Sequence, residues 1–426
     1  MLPWPSSSRR LGVGLLVLLS LCCQTASADV TFDARLKWFG TATAFPEHDL
    51  QRVVDETPAY DQNLDLRLMF RQEWSSLNLQ IEHSTTYIGG DSLAFISAPG
   101  TSLEQAPTDD ERRVMDLTWE IDSGDRHQLL HRLDRLVLSW RSGDWGVSLG
   151  RQAVSWGNGL VFQPMDLFNP FAPTTVDRDY KAGDDLLLVE RLFSNGSDLA
   201  LLAVGRRDEN EDFTGQAASV AVKWRGFLAG GTGEVELMAA KHFMDEVYAI
   251  STRWPLSGAL LRSDIVGTRL DGGDWKVSFV ANLDYSLAVG GRTTYIFAEY
   301  FHNGFGVDEL PESALELSEP LRDRLGRGEL FNLMKNYLAL GATHEWHPLW
   351  NQSLTLIGNL DDGSSLIQTQ ATYEPGDHQR LQVGVVVPLG GAGDEFGGVP
   401  LATGPQGEHT TTCGDVRGYL RWVYYF

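Results

Sequence analysis

Long stretches of the chain alternate between apolar and polar side chains with a period of two residues. Every second side chain from Leu64 to Phe70 is apolar, and the same pattern runs from Trp275 to Tyr285. Such alternation indicates a β-strand with one apolar and one polar face. The stretches reach the roughly 9–11 residues that a tilted strand needs to cross hydrocarbon, which is longer than most strands of soluble sandwiches.

A sheet placed in lipid must close on itself, because every backbone N–H and C=O group needs a partner within the protein. The pattern therefore predicts an all-β fold, a transmembrane antiparallel up-and-down β-barrel of about 18 strands. Residues 185–206 are apolar on both faces, so their phase is unresolved. The predicted strands are 30–43, 63–73, 76–88, 133–141, 144–153, 185–193, 197–206, 216–226, 232–243, 246–254, 258–270, 274–286, 292–303, 335–346, 352–361, 364–374, 379–389 and 414–426.

The lengths of the connections support this count. The long ones follow the first, third, fifth, thirteenth and seventeenth strands, whereas even-numbered ones such as Ser142-Gly143 are short. Consecutive antiparallel strands put odd and even connections on opposite sides of the membrane, and outer-membrane barrels have long external loops and short periplasmic turns. The long connections are 44–62, 89–132, 154–184, 304–334 and 390–413.

The first 28 residues have the features of a secretory signal peptide. Two arginines precede an apolar run that is too short to span a bilayer, and small residues end the segment at Ala28. We therefore expect residues 1–28 to be removed and residues 29–426 to form a single outer-membrane barrel domain. Cys413 is the one cysteine of that domain, so no intrachain disulfide is expected.

The last predicted strand carries apolar side chains at alternate positions from Val416 to Phe426. This pattern resembles the C-terminal strand through which the barrel-assembly machinery recognises outer-membrane barrels. The resemblance implies a location in the outer membrane of a Gram-negative bacterium, with membrane lipid and lipopolysaccharide around the barrel. The aromatic residues near its end also fit the interfacial belt of such barrels.

A barrel of this many strands is too wide for its own side chains to fill, so the polar strand faces are expected to line a watery interior. Both signs of charge occur on these faces. A ring of one sign selects ions of the other, but a mixed wall gives no clear ion preference. The candidate lining residues on the strands are Arg67, Arg71, Glu82, Lys276, Asp284, Arg292, Arg417 and Arg421.

The connection after the fifth strand is rich in aromatic residues and proline, which would favour aggregation if they were exposed to water. We expect residues 154–184 to fold inward as a constriction of the pore. The alternative is a loop that packs on the wall and only braces the strands. The candidate residues in or beside this connection are Arg151, Asp166, Arg178, Asp179 and Lys181.

Short motifs in this region carry a resemblance to known barrels. Gly150-Arg151-Gln152 is followed by Trp-Gly-Asn-Gly at 156–159 and Asp-Leu-Phe-Asn-Pro at 166–170. This arrangement resembles segments of Gram-negative barrels of the porin and alginate-export types. The resemblance implies a membrane channel, and in the alginate-export type an eighteen-stranded one. Alginate-export barrels move an anionic polysaccharide through an arginine-rich lumen, whereas the lumen predicted here carries both signs.

Motifs for other chemistries are absent from the sequence. There is no phosphate-binding glycine loop with lysine, no His-Glu-x-x-His and no Gly-x-Ser-x-Gly, so neither an enzyme nor a cofactor is expected. The net charge of −23 disfavours nucleic-acid binding, which requires a basic surface. No metal site is expected, and the weak candidates for Ca²⁺, which prefers oxygen ligands, are Asp177, Asp179, Asp184 and Asp185.

Together these features predict an outer-membrane channel for small hydrophilic solutes or ions, with residues 154–184 as its constriction. The alternative is a specialised exporter or a surface-binding barrel for a polysaccharide. That alternative would use Trp156, Trp346 and Trp350 as platforms for sugar rings. Ion conductance favours the channel, whereas glycan binding without conductance favours the alternative.

Overall fold

The computed structural model describes residues 29–54, 57–96, 110–313, 316–403, 409–412 and 414–426. The predicted signal peptide and Cys413 lie outside these residues. Within the described part, no helix has the length and apolar character needed to span a membrane. The helices lie in the connections and are short: α1 (Gln51–Val54), α2 (Asp91–Ile96), α3 (Glu319–Gly326) and a 3-10 turn (Ala229–Gly231).

Antiparallel strands make up the wall of the molecule, as the alternation predicts. The strands are β1 (Asp29–Ala44), β2 (Ala59–Glu73), β3 (Leu77–Gly90), β4 (Thr118–Gly124), β5 (His127–Ser142), β6 (Trp145–Gln152), β7 (Asp184–Leu192), β8 (Asp198–Val204), β9 (Ser219–Leu228), β10 (Gly233–His242), β11 (Asp245–Leu256), β12 (Ala259–Arg269), β13 (Trp275–Val289), β14 (Arg292–His302), β15 (Asn336–His347), β16 (Trp350–Asn359), β17 (Ser365–Gly376), β18 (Gln379–Leu389), β19 (Val399–Thr403), β20 (His409–Thr412) and β21 (Val416–Tyr425).

The sheet closes on itself. β1 pairs antiparallel with β2 on one side and with β21 on the other. The other wall strands pair with their neighbours in chain order, with β3 next to β5 and β18 next to β21. Apart from β4, β19 and β20, the described strands therefore form a closed antiparallel barrel of 18 strands, and the predicted fold class is confirmed.

The connections keep the predicted division between the two ends of the barrel. Those at one end are two to five residues long, and those at the other end include all the long ones. We assign the end with long connections to the external side, as in outer-membrane barrels generally. The long connections are 45–58, 91–126, 153–183, 205–218, 303–335 and 390–415.

Three strands lie in connections that the sequence pattern leaves as loops. β19 and β20 pair with each other in the last connection. β4 pairs with residues 127–132 of β5, while residues 136–142 of β5 pair with β6. Because β6 is short, the upper half of β5 would have an open edge without β4. This role depends on distant strands, so the short alternation within β4 does not reveal it.

The outward face of the barrel is apolar. On β2, Leu64 and Leu66 are exposed, whereas the alternate residues Asp65 and Arg67 are buried. In water such a face would be a large apolar patch, but in a membrane it is the surface that lipid covers. Exposed aromatic residues lie near the strand ends, among them Trp140, Trp145, Trp275, Trp346, Trp350 and Tyr373.

The phase of β7 and β8, which the sequence leaves unresolved, follows from what packs inside the barrel. Leu187 and Leu201 are exposed on the outward face. Leu186 and Leu202 are buried on the inward face, in a cluster that includes Phe168 of the connection 153–183. Both faces of these strands are apolar because one meets lipid and the other meets an apolar loop.

Arg151 at the end of β6 joins three parts of the chain and is 1% exposed. Its guanidinium donates hydrogen bonds to Asp110 at 2.8 Å and to the two carboxylate oxygens of Asp185 at 2.9 and 3.0 Å. It also donates to the C=O of Met115 at 2.5 Å. Asp110 and Met115 precede β4, so Arg151 fastens that connection to the wall where the strands are short.

Replacing Arg151 by Met should destabilise the barrel by roughly 3–5 kcal/mol, because the carboxylate of Asp185 would remain buried without its counter-charge, whereas Asp110 keeps its ion pair with Arg113. Urea unfolding in lipid vesicles measures this loss. The matched control is the double variant Arg151→Met/Asp185→Asn, which removes both charges of the buried pair and should recover most of the stability. An equal loss in both variants would contradict the electrostatic explanation.

Candidate functional site

Residues 153–183, which connect β6 to β7, run through the interior of the barrel, and we call them the inner segment. Trp156, Met165 and Phe168 of this segment are buried against inward side chains of β7 to β12. The rings of Trp156 and Phe168 meet edge to face, with centroids 5.7 Å apart. The first part of the inner segment is therefore held to one side of the wall by apolar packing.

The next part of the inner segment packs on a different part of the wall. Val161 and Phe162 are buried in a cluster with inward residues of β13 to β18 and β21. Phe162 stacks on Phe301 of β14 at 4.7 Å between ring centroids and lies 5.5 Å from the ring of Tyr337 on β15. The chain thus leaves the wall at β6 and crosses to strands in the second half of the sheet.

Glu299 of β14 binds the middle of the inner segment. Its carboxylate accepts hydrogen bonds from the backbone N–H groups of Leu160 (2.6 Å), Val161 (2.9 Å) and Phe162 (2.8 Å). Successive N–H groups that face one point form a concavity that binds anions. The turn is tight, because a Cβ on Gly159 would lie 1.7 Å from the C=O oxygen of Phe162. Only glycine fits there.

Asp264 of β12 binds the preceding turn. Its carboxylate accepts hydrogen bonds from the N–H of Asn158 at 2.7 Å and from the hydroxyl of Ser251 at 2.5 Å. Gly157 has a φ of +100°, and a Cβ there would lie 2.8 Å from a carboxylate oxygen of Asp264. The Trp-Gly-Asn-Gly motif and the three residues after it therefore present their backbone N–H groups to two buried carboxylates, Asp264 and Glu299.

The returning part of the inner segment carries two carboxylates to cations on β1 and β21. Asp179 accepts hydrogen bonds from Arg35 at 3.0 Å and from Arg421. Asp177 pairs with Lys37 and lies 3.2 Å from Arg421. Arg421 and Asp179 were predicted as lining residues and Asp177 as a weak calcium candidate. Arg35 and Lys37 were not predicted, although both lie on the polar face of β1.

Tyr180 lies between two arginines of the wall. The guanidinium carbons of Arg67 and Arg35 are 3.7 and 4.6 Å from the centre of its ring, which is cation–π geometry. Arg67 also forms a 2.6 Å ion pair with Asp134 and lies 3.6 Å from Glu82. Tyr180 and Asp134 were not predicted as site residues, because their contacts join segments far apart in the chain.

Lys181 and Asp166 form a buried ion pair within the inner segment. The Nζ of Lys181 lies 2.7 and 2.5 Å from the two carboxylate oxygens of Asp166 and 2.5 Å from the C=O oxygen of Val154. Burial raises the pKa of Asp166 to about 6, although the neighbouring ammonium group favours the carboxylate. The pair links the outgoing and returning halves of the inner segment.

Four of the predicted lining residues lie on inward strand faces away from this ion-pair cluster. Arg71 is exposed at the periplasmic end of β2, and Lys276 is half-buried near the external end of β13. Arg417 forms an exposed ion pair at the external end of β21. Asp284 of β13 pairs with Arg262. That these residues line a solute path stays a prediction.

One further position differs from the sequence-based expectation. Arg292 lies on the same face of β14 as Ile296, which is the exposed outward face, so it does not line the interior. It pairs with Glu345 at 3.1 Å. The phase of this strand is hard to read because aromatic residues occupy both of its faces.

Arg178 is exposed on the inner segment and donates hydrogen bonds to backbone carbonyls of residues 172–175, which stabilises a turn of that segment. That Arg178 lines a solute path stays a prediction.

The weak calcium candidates do not converge on one point. Asp177 and Asp179 face cations of the wall. Asp184 pairs with Arg206 at 2.7 Å, and Asp185 accepts hydrogen bonds from Arg151. Among the residues that the structure describes, no group of three His, Cys, Asp or Glu side chains is placed to hold a metal ion. The calcium hypothesis is therefore not retained.

A polar cavity of about 270 Å³ lies inside the barrel, beside the start of the inner segment. Arg135 of its wall donates a hydrogen bond to the C=O of Lys181 at 2.6 Å, so the cavity also reaches the returning end of the segment. Arg135, Arg141 and Gln152 were not among the predicted lining residues. The polar lining residues are Gln80, Arg135, Ser139, Arg141, Ser148, Gln152 and Glu190.

Glu395 joins the last external connection to the connection 303–335. Its carboxyl group accepts hydrogen bonds from the hydroxyl of Tyr337 (2.6 Å), the side-chain amide of Asn359 (2.7 Å) and the N–H of Leu333 (2.7 Å). Burial raises the pKa of Glu395 to about 7. This attachment therefore contains a group that titrates near neutral pH.

Ser219, His242 and Glu329 form a hydrogen-bonded chain with the residue types of a hydrolase triad. The Ser219 hydroxyl lies 2.9 Å from Nδ1 of His242, and Nε2 of His242 lies 2.9 Å from Glu329. However, Ser219 and His242 are only 1% and 2% exposed. A nucleophile must reach its substrate. These three side chains therefore have a structural role, and their hydrogen bonds fasten the connection 303–335 to β9 and β10.

The sequence matches no protein-family description and no curated protein. Solved structures share the fold at low identity. The outer membrane protein OpdK of Pseudomonas aeruginosa has 8% identity and a TM-score of 0.52, over 93% of this chain and 98% of that one. OccAB4 of Acinetobacter baumannii has 11% identity and a TM-score of 0.53, over 95% of this chain and 99% of that one. A BenF-like porin from Pseudomonas fluorescens Pf-5 has 10% identity and a TM-score of 0.51, over 93% of this chain and 98% of that one.

These similarities show that the chain has the fold of the outer-membrane porins of Gram-negative bacteria. They support the porin part of the resemblance that the motifs around Arg151 and Trp156 suggest.

Replacing Glu299 by Gln should loosen the turn at residues 160–162, because a neutral amide cannot accept all three N–H groups as a carboxylate does. We expect hydrogen exchange of these amides to accelerate on the order of tenfold or more. Glu345→Gln on β15 is the control and should leave their exchange unchanged. Equal exchange in all three proteins would show that Glu299 does not hold the turn.

Raising the pH from about 5 to about 8 should weaken the attachment through Glu395. The folded pKa of about 7 is above the ordinary value of 4.5. The protonated form therefore adds stability that is fully present below about 4.5 and is lost as the pH rises through about 7.

Hydrogen exchange at Leu333, corrected for the intrinsic effect of pH, measures this loss. In the Glu395→Gln variant the pH trend should disappear. A trend of equal size in that variant would assign the effect to other groups.

Proposed function

We propose that this protein is a channel that passes small hydrophilic solutes across the outer membrane, and that the inner segment is its constriction. The observation that carries the proposal is the course of this segment. It is bound to Glu299 and Asp264 on one part of the wall and to Arg35 and Arg421 on another. A segment attached at several sides of a barrel narrows the interior while the wall stays closed.

The lining of the polar cavity supports a preference for solutes that carry an anionic group. Its charged wall residues are two arginines, Arg135 and Arg141, and one carboxylate, Glu190. A solute carboxylate can accept hydrogen bonds from arginine, and a local excess of arginine favours anions.

The size of the polar cavity supports small solutes rather than polymers. A cavity of about 270 Å³ holds one small molecule. OpdK of Pseudomonas aeruginosa was crystallised with vanillate. We propose that this chain takes solutes of comparable size.

The polysaccharide alternative is not favoured, because the tryptophans that it requires do not form a sugar-binding surface in the interior. Trp156 is buried against Phe168. Trp346 and Trp350 are exposed on the outward face beside a short turn, where interfacial aromatic residues of barrels lie.

Ion current through the protein in a planar lipid bilayer tests the proposal. The purified barrel should give discrete current steps in salt solution, and small anionic solutes should reduce the current as they occupy the lumen. A protein that inserts but passes no current at any voltage would overturn the proposed channel function.

Replacing Arg135 by Gln should lower the permeability ratio of anions to cations, on the order of twofold, because it removes a positive charge beside the path. The reversal potential in a salt gradient measures this ratio. Arg292→Gln is the matched control, since Arg292 lies outside the lumen. If both variants keep the ratio of the unmodified protein, the path does not pass Arg135.

A further inference from the structure

Three residues lie side by side across the inward face of β5, β6 and β7, and we call them the charged row. Gly146 of β6 pairs with Arg141 of β5 on one side and with Glu190 of β7 on the other. Neighbouring strands are about 5 Å apart, so the backbones of Arg141 and Glu190 are roughly 10 Å apart with only a glycine between them. All three residues line the polar cavity.

Neither charged side chain of this row has a partner of opposite charge in the described part of the chain. Lys223, which lies two strands beyond Glu190 at the same height, pairs with Glu236 at 3.0 Å. Arg191 follows Glu190 in the chain, but its guanidinium lies over the ring of an outward-facing tryptophan. The positive charge of Arg141 and the negative charge of Glu190 are therefore both available to a solute.

Open space separates the two charges. A Cβ built on Gly146 would lie 3.7 Å from a carboxylate oxygen of Glu190, so this carboxylate extends over the glycine. Arg141 lies beyond ion-pair distance from it. The next row of the same inward face carries the hydroxyl groups of Ser139 and Ser148, which also line the cavity. One small cavity thus contains a cation, a carboxylate and two hydroxyl groups.

We propose that the charged row binds small zwitterions, in which a carboxylate and an ammonium group lie a few bonds apart, as in α-amino acids. The carboxylate of the solute accepts hydrogen bonds from Arg141, and its ammonium group donates to Glu190. A simple anion pairs with Arg141 but is repelled by Glu190, and a simple cation meets the reverse, whereas a zwitterion pairs with both. This assignment rests on the proposed function, because it names the solute class of the same channel.

The position of the charged row suits a site that releases its solute into the periplasm. Arg141 and Gly146 lie on either side of the short turn 143–144, at the periplasmic end of the barrel. The cavity extends from there to Ala153, the first residue of the inner segment. Both charged side chains are exposed to the lumen. Conduction requires a site that binds weakly enough to let the solute leave, and exposed ion pairs are weak.

Alanine, propionate and ethylamine are the probes that test this assignment, because propionate is alanine without its ammonium group and ethylamine is alanine without its carboxylate. Saturation-transfer NMR on the full barrel in lipid nanodiscs measures the affinity for each probe whether or not the barrel conducts. We expect alanine to bind roughly fivefold more tightly than either of the other two. In planar bilayers, alanine should reduce the ion current at correspondingly lower concentration.

Two neutral variants assign this difference to the charged row. Glu190→Gln should remove the advantage of alanine over propionate, and Arg141→Gln should remove its advantage over ethylamine. The matched controls are Glu345→Gln and Arg292→Gln, which alter an ion pair outside the cavity. Both controls should keep the preference for alanine.

A third variant fills the space and keeps both charges. Valine fits at position 146, because the nearest atom to the new Cβ is 3.7 Å away, and Gly146→Val should therefore weaken alanine binding without unfolding the barrel. Gly376→Val on β17 is its control, since no atom lies within 4 Å of a Cβ built there. The control should bind alanine like the unmodified protein.

Two results would overturn the assignment. The first is alanine that binds no more tightly than propionate and ethylamine. The second is a preference for alanine that persists in both Glu190→Gln and Arg141→Gln. Failure of the channel itself is a different result: a barrel that passes no ion current but binds alanine through the charged row would support the site and contradict the channel.

Discussion

The whole structure depends on one constraint, that no backbone hydrogen-bonding group of a membrane-spanning strand is left without a partner in lipid. Closure between β1 and β21 meets this constraint for the sheet as a whole. β4 meets it locally, because it pairs with the part of β5 that the short β6 does not reach. A strand within an external connection is thus part of the wall.

A closed ring of 18 strands leaves an interior that is wider than the wall side chains can fill. The chain places there a loop whose apolar residues cover part of the wall and whose backbone is bound by buried carboxylates. Glu299 and Asp264 accept N–H groups that would otherwise be buried without partners. The inner segment is therefore packed and hydrogen-bonded as part of the barrel interior, not as a loop that is attached only at its ends.

The sequence predicts the fold well and the site only in part, for one physical reason. Alternation along a strand reports its two environments directly, which is why the eighteen wall strands were predicted. It fails for Leu186 and Leu202, since both of their strand faces are apolar, and for Arg292, whose strand has aromatic residues on both faces. Contacts such as Arg35 with Tyr180 join segments far apart in the chain, and no local pattern encodes them.

The attachments of the inner segment divide the circumference into about equal thirds, at β6 and β7, at β12 to β14, and at β1 and β21. A segment fixed at three points of the circumference resists flattening of the barrel cross-section, because an elliptical cross-section would pull at least one attachment away from the others. The opening beside the inner segment then depends on the shape of the barrel wall rather than on the motion of a free loop. Lateral tension or a change in bilayer thickness that deforms the wall would therefore change the shape of the opening.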